Sequence, residues 1–159
     1  MPLELLKWNG WFVCASAQEI VAWAIDRYWP DIALSSSFQS QSIPLIHMIA
    51  QIEPGMPIIF LDTGYHFPET LAFKEQLRQQ WRLNILELGR DPSTGHLSSS
   101  DGRPLHETDP ERCCYINKVK PLFRALQGMR AWITGIRREQ TPERAKADLI
   151  ERQPGGLIK

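Results

Sequence analysis

A chain of 159 residues is expected to form a single domain, residues 1–159, around one core. Its 43% hydrophobic and 23% charged content excludes a disordered composition, and its balance of 18 basic against 18 acidic residues excludes a general attraction to nucleic acid or a membrane surface. No apolar run approaches the roughly 18 residues of a membrane helix. The opening Met1-Pro2-Leu3-Glu4-Leu5-Leu6-Lys7 has an early Glu and no basic stretch leading into an apolar one. It does not read as a secretion signal, so the expected location is the cytoplasm.

In chain order, residues 17–29 read as a helix, with Ile20, Ala24 and Tyr28 at near-helical spacing and Pro30 behind them. Ile32-Ala33-Leu34 is a first strand that runs into Ser35-Ser36-Ser37-Phe38-Gln39-Ser40-Gln41-Ser42. A helix follows to Gln51, with Pro44 tolerated in its first turn because the amide it lacks would be unpaired there. Pro54-Gly55 marks a turn. Pro57-Ile58-Ile59-Phe60-Leu61 is a short continuous apolar run, as expected of a strand covered on both faces, and it ends in Asp62-Thr63-Gly64. Pro68 opens a helix that runs to Trp81, and Asn84-Ile85-Leu86-Glu87-Leu88 is a third strand.

Residues 89–109 are polar and irregular, the composition of a flexible loop or active-site flap. Asp109-Pro110-Glu111 then makes a strong helix start: an N-cap, Pro at the first position, and an acid near the positive end of the dipole. Gly128 closes this helical region, and Pro121 is expected to break or kink it. Ala131-Trp132-Ile133-Thr134 is the fourth strand, followed by Gly135-Ile136-Arg137-Arg138.

Strands alternating with helices argue for an α/β fold, a doubly wound, mostly parallel sheet with helices on both faces. Ligands bind beyond the carboxyl ends of such strands, and three polar segments, residues 35–42, 62–64 and 135–138, begin where a strand stops. The serine segment joins a strand to a helix N-terminus, where amides, hydroxyls and the helix dipole can satisfy phosphate oxygens. An ordinary serine-rich helix cap is the structural alternative. Residues 103–146 hold ten Lys/Arg against five Asp/Glu, compatible with an anion site or with a basic solvated face.

The cysteines, Cys14, Cys113 and Cys114, are odd in number and make no disulfide framework. Cys14 stands in an apolar context before the first strand and is expected to be a packed small hydrophobe. Adjacent Cys113 and Cys114 read as metal ligands or redox thiols, with two inert helix thiols or a strained vicinal disulfide as alternatives.

The serine segment resembles the pyrophosphate-binding loop of the adenine-nucleotide α-hydrolase-like group, but lacks the glycines and the acid of its ATP-cleaving members. Four stretches together narrow the resemblance: Ala33-Leu34-Ser35-Ser36-Ser37-Phe38; Phe60-Leu61-Asp62-Thr63-Gly64-Tyr65-His66-Phe67-Pro68-Glu69-Thr70; Asp109-Pro110-Glu111-Arg112-Cys113-Cys114 with Lys118-Val119-Lys120-Pro121-Leu122; and Trp132-Ile133-Thr134-Gly135-Ile136-Arg137-Arg138-Glu139-Gln140. In order and spacing they resemble the assimilatory sulfonucleotide reductases, the adenylyl-sulfate and phosphoadenylyl-sulfate reductases, from residue 32 to residue 145.

The resemblance implies binding of adenosine 5′-phosphosulfate or its 3′-phosphorylated form. It implies nucleotide-binding roles for Ser35, Ser36, Ser37, Phe38, Ser40, Ser42, Leu61, Asp62, Thr63, Gly64 and Gly135, and phosphosulfate-binding roles for Lys118, Arg137 and Arg138. Cys113 and Cys114 match a tandem pair that, with a later Cys-x-x-Cys, holds a four-iron four-sulfur cluster. In the implied reaction a thiolate near the C-terminus attacks the sulfur and expels AMP. Thioredoxin or a similar thiol donor then releases sulfite. A homo-oligomer is compatible with the resemblance.

Two departures bear on this. Beyond Ala145 no second cysteine pair and no nucleophilic cysteine follow, so the isolated chain is expected to be weakly active or inactive and to hold no complete cluster. Gln39 stands where the family commonly has Gly, and is expected to weaken binding. The alternative readings are a non-catalytic nucleotide-binding or regulatory module, and an ATP-dependent nucleotidyl transferase of the same fold.

Overall fold

Ser16 starts the second helix by a reciprocal cap: its hydroxyl accepts the Glu19 N–H at 3.3 Å, and Glu19 Oε2 accepts the Ser16 N–H at 2.7 Å. Such a cap is worth about 1 kcal/mol. It opens α2, Ala17–Tyr28, which buries Val21, Ile25 and Tyr28 and stops where Pro30 pushes Trp29 out of the helical region. The computed structural model describes residues 3–89 and 103–159. A helix not expected from the sequence, α1, Leu3–Phe12, precedes α2 and packs through Leu5 and Trp8. Cys14 is exposed in the link between them. The expectation of a packed thiol there fails because that link turns away from the core.

The sheet consists of β1, Ile32–Ser35, β2, Ile58–Leu61, β3, Ile85–Leu88, and β4, Ala131–Thr134. Its order is β3-β2-β1-β4, and every pairing is parallel. Ile58, Ile59 and Phe60 are all buried, as the continuous apolar run requires of a strand covered on both sides. β3 lies at the edge and leaves Leu86 and Glu87 exposed.

The helices occupy both faces. α3, Ile43–Ile52, follows a 3-10 turn at Ser40–Ser42 and carries Pro44 in its first turn. It joins α1, α2 and α4, Pro68–Trp81, over Ile32, Leu34, Ile58 and Phe60. On the other face α7, Lys120–Ala125, packs Leu122 and Ala125 with Leu126 against Ala33 and Ile59. Right-handed crossovers demand this split, because β2 and β3 extend the sheet to one side of β1 and β4 to the other. The sheet is therefore doubly wound, with its order reversing between β1 and β4.

Two expectations about the later segment are corrected. Residues 90–102 of the anticipated loop lie outside the described residues, but its end is not irregular: Leu105–Thr108 form a short helix, α5, that buries Leu105. Of the expected break or kink at Pro121, the break is absent and the helical run continues through it. After α6, Pro110–Cys114, the backbone widens into a π-turn at Tyr115–Val119, and Lys120 N–H reaches back to the Tyr115 carbonyl. The wider turn delivers Pro121 into the first turn of α7, where its missing amide costs nothing.

Ile158 pairs beside β4: its carbonyl accepts the Trp132 N–H at 2.7 Å and its N–H donates to Arg130 at 3.0 Å. Among the described residues no helix is long and apolar enough to cross a membrane.

Candidate functional site

Because all four strands run the same way, the segments after β1, β2 and β4 leave one edge of the sheet. After β1 the chain is tightly constrained. Ser36 N–H donates to Ile59 O at 3.0 Å, and Ser36 Oγ accepts the Phe38 N–H at 3.1 Å. This folds Phe38 into the left-handed region, φ 56, a conformation that costs a residue with a Cβ about 1–2 kcal/mol. Burial of its ring, 5.8 Å from that of Phe60, offsets the cost. Gln39 itself has φ −72, so the loop places its unusual backbone angle on Phe38 and not where the family commonly has glycine. The Gln39 side chain is exposed and accepts from Gln41 at 3.2 Å.

The loop leaves donors unspent. Among the described residues, the backbone N–H groups of Ser37, Gln39, Ser40 and Gln41 have no intrachain partner. They stand at the entrance to α3, where the dipole favours an anion. Ser37 and Ser40 are exposed, Ser42 half-buried. Ser35 is engaged otherwise: its Oγ accepts the Trp132 indole N–H at 2.9 Å.

After β2, Asp62 Oδ1 accepts the Gly64 N–H at 2.9 Å, and Gly64 at φ 73 supplies the left-handed turn that the sequence Asp-Thr-Gly provides for. Thr63 is buried. Leu61 O accepts from His66 Nε2 at 2.9 Å, and the His66 ring lies against Phe60 at 4.8 Å. Asp62 thus shapes its own turn, and this segment makes a rigid shelf next to the serine loop.

After β4, Gly135, Arg137 and Arg138 line a cleft of about 580 Å³ together with Gln41 of the serine loop. Its apolar wall comes from α2 and α3, including Ile20, Ala24, Leu45 and Met48. Arg137 is exposed, with Nε 3.4 Å from Glu139. Arg138 Nε donates to the Ala147 carbonyl at 2.9 Å, which leaves its two terminal nitrogens for the cleft and pins the chain that walls it. Asn9 secures the same wall from α1: its carboxamide donates to Ile150 O at 2.8 Å and accepts the Ile150 N–H at 3.0 Å.

Cys113, Cys114 and Lys118 do not line this cleft. Asp109 caps α6 by accepting the Arg112 N–H at 3.0 Å, and α6 holds Cys113 buried and Cys114 exposed. Asn117 Nδ2 donates to the Cys113 carbonyl at 3.0 Å and approaches its Sγ at 3.4 Å. Lys118 is exposed within the π-turn. A four-iron cluster takes four thiolates. The tandem pair supplies two, and among the described residues no three His, Cys, Asp or Glu side chains gather as a metal site. These residues alone do not fit the whole cluster.

Sequence reasoning missed Trp132, Gln41, Asn9, Asn117 and Lys74. Only Lys74 left a local signal: it stands three residues from both Leu71 and Leu77, on the inward face of α4. Asn117 acts within its own helical run, four residues from Cys113, while Trp132, Gln41 and Asn9 act across the fold, as in the 97-residue separation between Ser35 and Trp132.

Comparison with known proteins agrees with this architecture. An adenosine 5′-phosphosulfate reductase of Rhodococcus erythropolis is 37% identical over 154 residues, covering 91% of this chain and 62% of the relative. One of Streptomyces coelicolor is 35% identical over 136 residues, covering 86% and 57% respectively. The chain thus spans about three fifths of the length of these curated relatives. A crystal structure of phosphoadenylyl-sulfate reductase from Candida auris, in a phosphate complex, superposes on all of this chain and 78% of its own, with a TM-score of 0.79 at 24% identity, a likeness of fold. The model of the phosphoadenosine phosphosulfate reductase domain matches residues 31–157, from the threshold of β1 to the strand-like segment beside β4, and the chain belongs to that family.

Proposed function

We propose that this chain binds a sulfated adenine nucleotide, adenosine 5′-phosphosulfate or its 3′-phosphorylated form, in the crevice between β1 and β4. One observation carries the reading: the cleft joins the serine loop, through Gln41, to Gly135, Arg137 and Arg138, at the point where the strand order reverses. Unspent loop amides and the α3 dipole suit phosphate oxygens, and planar guanidinium groups suit the sulfate end. The apolar wall from α2 and α3 suits the base. Leu61, Asp62, Thr63 and Gly64 support the loop from the neighbouring strand, and the phosphosulfate role of Lys118, which does not line the cleft, rests on the family resemblance alone.

By lineage the chain belongs to thiol-dependent reduction of this nucleotide in sulfate assimilation, as its relatives' names support. In that reaction a thiolate attacks sulfur and the S–O bond to AMP breaks, leaving an S-sulfocysteine. A dithiol donor such as thioredoxin then releases sulfite and becomes a disulfide. None of Cys14, Cys113 and Cys114 lines the cleft. The function proposed for these residues is accordingly binding and orientation of the nucleotide, with the attacking thiolate supplied from elsewhere.

A thermal-shift titration with adenosine 5′-phosphosulfate, its 3′-phosphorylated form, AMP and ATP with magnesium tests this. A ligand at 100 times its Kd stabilises the fold by about 2.7 kcal/mol. The expected order is led by one of the phosphosulfates. A shift led by ATP with magnesium would favour a nucleotidyl transferase, and a cooperative melt that no nucleotide moves would overturn the proposal.

A further inference from the structure

We propose that Trp132 is a positioning residue for the nucleotide site: its indole N–H holds the Ser35 hydroxyl so that the hydroxyl proton is given to the bound anion. The inference rests on the nucleotide-binding reading above and names a residue that reading does not use.

The geometry begins with register. Ser35 is the last residue of β1, paired with Thr134 on β4, and Ala33 is paired with Trp132. Because strand side chains alternate, Trp132 and Ser35 share the α7 face, and the indole reaches diagonally toward the carboxyl end to place Nε1 2.9 Å from Ser35 Oγ. The contact therefore crosses between the two strands at which the sheet order reverses, directly below the serine loop.

The chemistry follows from what each group can do. An indole N–H only donates, whereas a serine hydroxyl has one proton and two acceptor lone pairs. With Trp132 occupying a lone pair, the hydroxyl's remaining capacity includes its own proton, and among the described residues nothing accepts that proton. A hydroxyl that accepts one hydrogen bond becomes a better donor in the next. Farther along the chain Ser37, Gln39, Ser40 and Gln41 also keep unspent backbone donors among the described residues, whereas those of Ser36 and Phe38 are used within the loop and sheet. Ser35 would thus extend the row of amides with one oriented side-chain donor.

The ring is held independently of this bond. It lies half-buried, edge-on to Phe123 at 6.2 Å, with Lys159 Nζ 5.8 Å from its centroid. Trp132→Phe keeps an aromatic ring in that packing and removes the N–H, which separates positioning from scaffolding.

Affinities of the full chain for adenosine 5′-phosphosulfate, AMP and adenosine are compared for wild type, Trp132→Phe, Ser35→Ala, Ser35→Thr and the Trp132→Phe/Ser35→Ala double variant. Loss of one hydrogen bond to the charged anion predicts about tenfold weaker binding of the two phosphate-bearing ligands to Trp132→Phe and to Ser35→Ala. Adenosine binding should stay unchanged, Ser35→Thr should retain affinity, and the double variant should bind like Ser35→Ala alone. In 15N-labelled protein, one of six indole cross-peaks disappears in Trp132→Phe. That peak should move on addition of AMP to wild type and lose the response in Ser35→Ala. Wild-type protein that binds neither phosphate-bearing ligand would sink the nucleotide reading and this inference with it. Wild-type binding with Trp132→Phe unchanged, or with adenosine weakened as much as AMP, would overturn the inference alone.

Discussion

On the β3 side of the sheet, Glu87 is bonded to Lys74, with Nζ to Oε2 at 2.9 Å, and also to Arg78. Lys74 is itself buried, 4.4 Å from the centre of the Phe60 ring. On the β1–β4 side, Trp132 meets Ser35, but four loop amides and the terminal nitrogens of Arg138 have no such use. The two regions share one sheet and similar strands, and they differ in how far charged groups answer one another, although Arg78 Nε, 3.5 Å from Glu75, is left without a hydrogen bond on the β3 side. Charges that answer each other fasten α4 to β3. Donors left over at a strand-order reversal are what the proposed anion site draws on.

If that contrast holds, the largest effect is confined to stability. Lys74→Ala should destabilise the fold by about 2 kcal/mol, below the 3–5 expected on breaking a fully buried pair because Glu87 is partly solvated. Denaturant unfolding measures it, and nucleotide affinity should not change. The same pair sets a pH dependence. The hydrogen bond from Lys74 holds the Glu87 carboxyl below its ordinary range, Arg78 adds to this, and burial opposes it. Its folded pKa is therefore depressed, so the unfolded chain binds more protons in acid. The pair's contribution is fully present above the unfolded glutamate value and is lost as pH falls through the folded one. Lys74→Met should flatten that acid limb, and an unaltered limb would break the assignment.

The next effect falls on the other side of the comparison. Arg137→Ala should weaken phosphosulfate binding about tenfold, the loss of one charge-assisted contact, with little change in Tm. Arg138→Ala should lower both, because its Nε also holds the chain at Ala147. Equal Tm values for the two variants would contradict that division. The smallest effect is at Gln39: Gln39→Gly should tighten nucleotide binding by about threefold, by removing a side chain bonded to Gln41 and freeing the backbone to approach the phosphate. Unchanged or lower affinity would remove Gln39 as a determinant.

Much of the scaffold was legible because its signals are local. The run from Ile58 to Leu61 could only be a strand covered on both faces, and the Asp109-Pro110 start announced α6. The first helix was not legible, because Leu3, Leu6 and Trp11 stay exposed while Leu5, Trp8 and Phe12 turn inward, so apolar residues surround the helix and its inward stripe does not stand out. Pro121 signals a break by every local rule, yet the preceding π-turn absorbs it. At the site, the segments were readable as polar stretches after strands. Their division of labour was not, since it depends on contacts such as Ser35 with Trp132 and Asn9 with Ile150 that join distant parts of the chain. The position of the strained residue, Phe38 and not Gln39, likewise follows from the Ser36 hydroxyl and the ring of Phe60, neither of which a linear pattern displays.

The central claim is that the nucleotide's anion is held where donors are unspent, and amide hydrogen exchange tests it most directly. With saturating adenosine 5′-phosphosulfate, amides of residues 36–42 and 135–138 should exchange more slowly, while those of residues 74–88 should not change. Protection that spared the serine loop in a protein that nonetheless binds the nucleotide would contradict the account and place the ligand elsewhere on the fold.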